Sequence, residues 1–390
     1  MMKRRLFTPG PTPVPEQALL RMAEPIIHHR KPEYIAIAAR VNANLRTVFG
    51  TARPVLTLAS SGTGGVEASF VNLFSPGDKV IAINGGKFGE RWVELPRAFG
   101  LEAVDAKVEW GSAMSPDELG GILRAHPDAK AVYITQSETS TGTVFDVRGL
   151  AAAIRKHSSA LVCVDAISAL GAHELRFDDW GVDVCVTGSQ KGLMIPPGLA
   201  FIALSARAEA AMAAATLPRF YFDLRQALKA YETNDTPWTP AVSLVTGLDV
   251  ALGMIVREGI EAVWTRHARM GAALRAGVRA MGLELASRNP SDAVTAIRIP
   301  PGVAWKTFNR TLEDRYGIIA AGGQGAWDGK VFRISHLGYY DELDMVTVAA
   351  AIERAFSESG FAIDPGSGVS AVQASFMKAG EAREARETLR

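Results

Sequence analysis

The sequence predicts an α/β protein: a large domain built on a doubly wound, mostly parallel sheet, followed by a smaller C-terminal α+β domain. Three observations carry that expectation. From Pro54 to Ser205 short β-rich runs alternate with helical patterns, and repeated βα units fold as parallel strands flanked by helices. After Ser205 the alternation gives way to long helical patterns, and beyond Asn289 strands and helices resume over a stretch of roughly 80 residues, an ordinary size for a small domain. The 390 residues are also enough for two cores. The expected boundaries are an N-terminal arm over 1–15, a large domain over 16–257, a small domain over 258–365 and a charged tail over 366–390.

In order along the chain, TPGPTPVP (8–15) is too rich in Pro and Gly to be regular and reads as a fixed, extended loop. Pro32 to Phe49 is a helix pattern, with Pro at its start and Gly50 just past its end. PVLTLAS reads as a strand, GGVEASFVNLF as a helix, KVIAIN after the turn SPGD as a strand, and FGERWVELPRAFG as a helix. LEAVDA, a helix opened by a capping box at Ser115 and Glu118, KAVYIT, the helix VRGLAAAIRKH and the strand LVCVD follow. Ala241 to Val256 is strongly apolar, and the amphipathic Glu258 to Met281 leads into the second domain. There VTAIRIP, a helix from Trp305 to Tyr316, the Gly-rich AGGQGAWDG, KVFRIS and the helix ELDMVTVAAAIERAF form the α+β unit. The terminal KAGEAREARETLR reads as a solvated helix.

Lys plus Arg number 42 against 41 Asp plus Glu, so no excess charge draws the protein to nucleic acid or to an anionic membrane. Cys163 and Cys185 each sit in an apolar strand-like run, the place of small buried thiols, which points to a reducing compartment. The basic start MMKRRLF is not followed by an apolar core segment, and no run of 18 apolar residues occurs; the expectation is a cytoplasmic protein without a signal peptide. His28 and His29 lack a carboxylate or Cys partner at ligand spacing, so no metal site is expected.

The chemistry concentrates in Leu161 to Ser205. Two apolar strands each end in a polar loop, with Asp165 closing the first and Lys191 following the second. Open α/β sheets take their ligands in the crevice beyond the carboxyl ends of the strands, so both side chains are expected to face it. TGSQ before Lys191 and Pro196-Pro197-Gly198 after it describe a rigid loop in which an amine loses hydration and has its pKa lowered. An anion that keeps a ring nitrogen protonated, beside an amine able to form a Schiff base, is what pyridoxal phosphate requires of a protein. The competing reading of Asp165 is a helix N-cap ahead of AISALG. Ser61-Gly62-Thr63-Gly64-Gly65 follows a strand and opens a helix, where backbone N–H groups and the helix dipole suit a phosphate. It lacks both the Gly-Lys-Ser/Thr of a P-loop and the glycine spacing of dinucleotide folds.

Together SGTGG at 61, NGGKFGERW at 84, ETSTG at 138, VDAIS at 164 and TGSQKG at 187 resemble the class V aminotransferases of pyridoxal phosphate fold type I. Within that class the likeness is to the alanine/serine–glyoxylate aminotransferase group, including the soluble-hydrogenase small-subunit-like relatives, and it runs from TPGPTPVP through VFRISHLG. The resemblance implies transamination between alanine or serine and glyoxylate or pyruvate, with aspartate and ureidoglycine as alternative donors. It implies that Lys191 is the Schiff-base lysine and Asp165 the partner of the pyridine nitrogen. Thr63, Gly64 and Gly65, helped by Gln190, would bind the cofactor phosphate. Phe88 would stack on the ring, Ile167 would press on its other face, and Thr139 would bond its phenolic oxygen. Arg333 would grip the substrate carboxylate, with Gly10 of the N-terminal loop beside the substrate. A homodimer is implied in which Thr239 or Thr236, from NDTPWTP, reaches the partner subunit's phosphate. Gln324 and Ser335 depart from the commoner Gly-Leu-Gly and Arg-Ile-Gly patterns and raise the question of a different pocket shape.

Three rivals are weaker. A desulfurase or related lyase of this fold needs a mobile cysteine, which two strand-borne cysteines do not supply. A nucleotide-dependent dehydrogenase has no use for Lys191. A cofactor-dependent transcriptional regulator would add a helix-turn-helix domain, for which there is no basic stripe.

Overall fold

The computed structural model describes residues 2–388, and the side chains of 2–378. In chain order the strands are β1 (Arg5–Leu6), β2 (Val55–Leu58), β3 (Lys79–Asn84), β4 (Glu102–Lys107), β5 (Ala131–Thr135), β6 (Ser137–Glu138) and β7 (Thr143–Val144). They continue with β8 (Leu161–Asp165), β9 (Val184–Gly188), β10 (Ala200–Leu204), β11 (Val294–Arg298), β12 (Ile318–Ile319), β13 (Ala321–Gly322) and β14 (Val331–Ser335). The first four helices are α1 (Glu16–Met22), α2 (Pro32–Phe49), α3 (Gly62–Leu73) and α4 (Lys87–Ala98).

Seven strands form the large sheet in the order β2-β10-β9-β8-β5-β3-β4. β3, β4, β5, β8 and β9 run parallel, while β10 pairs antiparallel with both β9 and β2. The expected mostly parallel, doubly wound sheet is therefore present. The one reversal has a local cause: residues 189–199 return the chain through a short loop, with no crossover helix to restore the parallel direction. β5, β8, β9 and β10 are buried along their whole length, as strands covered on both faces must be. One face is packed by α2 and the helices Pro116–Ala125, Val147–His157 and Val242–Glu258. The other is packed by α3, α4 and the helices Ala206–Ala211 and Leu224–Tyr231.

The local signals hold where they are strongest. α2 starts on Pro32 and ends at Gly50 in the left-handed conformation, and Ser115 and Glu118 form the reciprocal capping box. The small domain is the three-stranded antiparallel sheet β11-β14-β13 with the helices Ile260–Ala280, Trp305–Tyr316 and Glu342–Glu358.

Two of the expected segments pack more closely than an arm and a solvated tail would. Residues 1–15 are not simply an arm, because β1 pairs in parallel with β12, and Phe7, 1% exposed, sits in the small-domain core against Tyr340. Burying such a side chain is worth about 2–3 kcal/mol. The tail drawn from 366 is not all solvated: the helix Ser367–Thr388 presses Val372 and Phe376 into the same core, since its first half carries apolar residues at helical spacing. The side chains of its charged half lie outside the described residues. Among the described residues no helix is long and apolar enough to cross a membrane.

Candidate active site

The order of the sheet reverses between β3 and β5, since the chain moves outward from β3 to β4 and then returns to build β5, β8 and β9 on the other side. At the carboxyl ends of these strands lies a cleft with a cavity of about 200 Å³. Each strand end delivers a functional group to it or to its rim. β3 leads to Phe88, β5 to Ser137, β8 to Asp165 and Ile167, and β9 to Gln190 and Lys191.

Asp165 is the last residue of β8, 5% exposed, and its Oδ1 accepts the Ile167 N–H at 2.8 Å. This is a tight Asx turn, with no regular helix following to be capped, so the competing N-cap reading falls. Burial pushes its carboxyl up to about 7; the Ile167 N–H opposes that shift, Glu138 adds to it, and Lys191 and Arg91 oppose it. Lys191, 9% exposed, lies in the turn between β9 and β10. Its Nζ donates to the Pro9 carbonyl at 2.6 Å, and burial lowers it to about 8 while Asp165 draws it up. The N-terminal loop is strapped to the same turn, with the Thr12 N–H on the Gln190 carbonyl at 3.1 Å and the Thr12 hydroxyl on the Lys191 carbonyl at 3.0 Å. Gly10 is bare where the lysine passes: a Cβ there would occupy the space of the Lys191 Nζ.

Opposite these groups, α3 opens at Gly62 with no side-chain cap from Ser61 and no acidic residue in its first turn. Its first N–H groups and dipole are left available for an anion. Thr63 and Gln190 line the same end, and Gln190 Oε1 is buried with no hydrogen-bond partner. Gly64 and Gly65 do not line the cleft. A Cβ on Gly64 would meet Ser60 and Phe222, and one on Gly65 would meet Val186 at 2.8 Å, so both positions let α3 sit close to its neighbours.

Arg333 and Thr139 lie outside the cleft lining but against each other. The Arg333 guanidinium, 6% exposed, donates from Nη1 to the Thr139 carbonyl at 3.0 Å and from Nε and Nη2 to the Gly322 carbonyl at 2.9 and 2.7 Å. Burial lowers it to about 10, against the pull of Glu138. Thr239 is exposed and lines a separate groove with Tyr221 and Trp238. The Thr236 hydroxyl is engaged by the Trp238 carbonyl at 2.6 Å. Ser335 is buried and bonded to Leu337 N–H and the Ala293 carbonyl, and Gln324 is exposed, so neither departure from the family pattern falls in the cleft lining. His28 and His29 stack on each other, and among the described residues no group of three or more His, Cys, Asp or Glu is placed to hold a metal.

Among the cleft residues that the sequence reasoning did not name, Arg91 carries a charge. Arg91 lines the cavity, donates from Nη1 to the Thr63 hydroxyl at 2.9 Å and holds its guanidinium 5.1 Å from the centre of the Phe88 ring. Its signal was present in NGGKFGERW, where it stands three positions after Phe88, a spacing that puts both on one face of α4.

These residues fit pyridoxal phosphate. The uncapped N–H groups at the start of α3 and the Thr63 hydroxyl suit a dianion, Phe88 and Ile167 offer apolar surfaces in the same cleft, and a carboxylate and an amine remain to engage the ring nitrogen and the aldehyde. The Aminotransferase class-V family model matches residues 6–344. The soluble hydrogenase 42 kDa subunit of Anabaena cylindrica is 42% identical, over 95% of this chain and 97% of that protein. The L-aspartate–glyoxylate aminotransferase of Paracoccus denitrificans is 38% identical, over 94% and 95%. Among solved structures, the pyridoxamine-pyruvate aminotransferase of Mesorhizobium loti superposes with a TM-score of 0.93 at 29% identity, covering 97% of this chain and 98% of that one. The chain belongs to the class V aminotransferases and is a pyridoxal phosphate-dependent aminotransferase.

Proposed function

We propose that this enzyme transfers the amino group of a small amino acid, alanine or serine, to a small 2-oxo acid, glyoxylate or pyruvate. The observation that carries the reading is the convergence of Lys191 and Asp165 on one cleft, with a buried Arg333, held by the Thr139 and Gly322 carbonyls, near enough for its charge to act on Lys191. Relatives named serine–glyoxylate aminotransferase, such as that of Methylorubrum extorquens at 35% identity, support glyoxylate as acceptor.

The bound cofactor supplies an electron sink for the carbanion left when the substrate loses its α-proton. Lys191 would hold the cofactor through its Nζ and, once displaced by the substrate's amino group, its neutral amine would take the proton from the substrate's Cα and deliver it to the cofactor carbon that the lysine had held. An ammonium lowered to about 8 gives that amine a usable neutral fraction near neutrality. Asp165 holds the proton on the ring nitrogen, and the ring's positive charge favours the ionised carboxylate. Thr63 and the first N–H groups of α3 anchor the phosphate, with Gln190 beside them. Arg333 has five N–H donors, three of them committed to the Thr139 and Gly322 carbonyls, which leaves one on each terminal nitrogen for a substrate carboxylate.

The exposed Thr239 makes no hydrogen bond among the described residues, whereas Thr236 spends its hydroxyl on Trp238. In a homodimer with shared sites, Thr239 is therefore the one that reaches the partner subunit's phosphate. Aspartate is the second reading for the donor, favoured by the Paracoccus relative and by Arg91, which brings another cation into the cleft.

Two experiments test this. Borohydride treatment of the holoenzyme is expected to fix the cofactor on Lys191, and Lys191→Ala to abolish turnover; a colourless protein with nothing fixed on Lys191 refutes the site. Alanine, serine, aspartate and ureidoglycine are then assayed against glyoxylate and pyruvate. Alanine or serine should give the highest kcat/KM, and a preference for aspartate selects the second reading.

A further inference from the structure

Glu138 is completely buried, and the chemistry described so far gives it no task. Its Oε2 accepts the N–H groups of Phe88 and Gly89 at 3.0 and 2.9 Å. Its Oε1 accepts the N–H and the hydroxyl of Ser140 at 3.1 and 2.5 Å, and the Ser140 hydroxyl accepts the Lys87 N–H at 3.0 Å. Three successive N–H groups in the first turn of α4 are thus closed by one carboxylate and one hydroxyl from a different segment. α4 cannot cap itself, because it starts from Gly86. That glycine is also what admits the carboxylate: a Cβ there would come within 2.6 Å of the Glu138 Cγ and Cδ. The next residue, Thr139, gives its carbonyl to Arg333. Residues 138–140 therefore hold the helix that carries Phe88 and Arg91 and, on the other side, the guanidinium of the small domain.

We propose that Glu138 is a positioning residue that sets the depth and tilt of Phe88 against the cofactor ring by clamping the first turn of α4. This rests on the reading of Phe88 as the ring-stacking residue. The chain supplies its own control in Glu353, another buried carboxylate, whose hydrogen bonds go to the N–H groups of Gly366, Gly368 and Val369 at the start of the last helix and to none of the cleft residues. If burying a carboxylate at a helix start served stability alone, the two would be equivalent.

The test is titration of the apoprotein with pyridoxal phosphate, reading its Kd and the visible circular dichroism of the bound cofactor. Wild type, Glu138→Gln, Ser140→Ala, Glu353→Gln, Phe88→Ala and the Glu138→Gln/Phe88→Ala double variant are compared. Glu138→Gln turns one acceptor into a donor facing N–H groups. It is expected to weaken cofactor binding roughly 2- to 10-fold, the range of a displaced aromatic stack, and to diminish the dichroic band. Glu353→Gln should leave both readings at their wild-type values. In the Phe88→Ala background Glu138→Gln should add no further loss, since it acts through that ring. Wild-type Kd and dichroism in Glu138→Gln, or a full additional loss in the double variant, overturns the proposal. Should Glu138→Gln fail to fold, Ser140→Ala, which removes only the bridging hydroxyl, is read by the same two outcomes. Failure of the wild type to bind the cofactor would overturn the reading of the site instead.

Discussion

The cost of hiding an ammonium at Lys191 can be measured. Burial lowers Lys191 from 10.5 to about 8 in the folded protein, and in the unfolded chain it regains the higher value. Below about pH 8 both states are protonated, and folding bears the full penalty of the buried charge. Between about 8 and 10.5 the unfolded chain holds a proton that the folded one has released, so the penalty fades as pH rises through that window. At about 1.4 kcal/mol per pKa unit the full penalty is about 3 kcal/mol, against which the bond from Nζ to the Pro9 carbonyl returns about 1 kcal/mol. Lys191→Met keeps the length and removes the charge. The cofactor-free variant is expected to be more stable than cofactor-free wild type by about 2 kcal/mol at pH 7. That advantage should vanish by about pH 10, as the folded lysine loses its proton and wild type gains about 2–3 kcal/mol on the way. Urea denaturation at fixed protein concentration measures both values, the concentration being held because association shifts the midpoint. A Met variant less stable than wild type at pH 7, or a difference that stays flat from pH 7 to 10, refutes the burial argument. The same shift sets reactivity: the rate of cofactor capture by wild-type apoprotein should rise with pH and level off above about 8. A rate still climbing steeply above pH 9 contradicts it.

Arg333→Lys loses the two-pronged grip and should raise KM for carboxylate substrates roughly 10- to 100-fold in steady-state assays; an unchanged KM removes Arg333 from the substrate site. Gly10→Ala puts a methyl group where the lysine amine passes, and turnover should fall roughly 100-fold or more with loss of borohydride-fixed cofactor, read by mass spectrometry. Thr239→Ala should raise the cofactor Kd roughly 10-fold while Thr236→Ala leaves it near wild type, and the reverse ranking rejects the assignment. Gly65→Ala forces a methyl against Val186 and Ala200 and should cost about 1–3 kcal/mol of stability in denaturant titration, with no loss if α3 can slide away.

Much of this protein is legible in its sequence because the signals are local. The helix from Pro32 to Phe49 with its Gly50 cap, the Ser115–Glu118 box, the alternation of strand and helix, and the placing of Asp165 at the end of one apolar strand and Lys191 just beyond another all depend on near neighbours in the chain. The tertiary structure decided what depends on distant ones. Phe7 belongs to the small-domain core because β1 finds β12 more than 300 residues away, and the last helix is half core because its apolar residues find that same domain. Gly64 and Gly65 proved to be places of close packing, a role that shows only once the neighbouring elements are in position. Arg91 and Glu138 stood in plain view within two motifs, yet a side chain's partner is fixed by which strand ends meet. Only the pairing of β3 with β5 beside β8 brings the start of α4, the ETSTG segment and Asp165 to one end of the sheet.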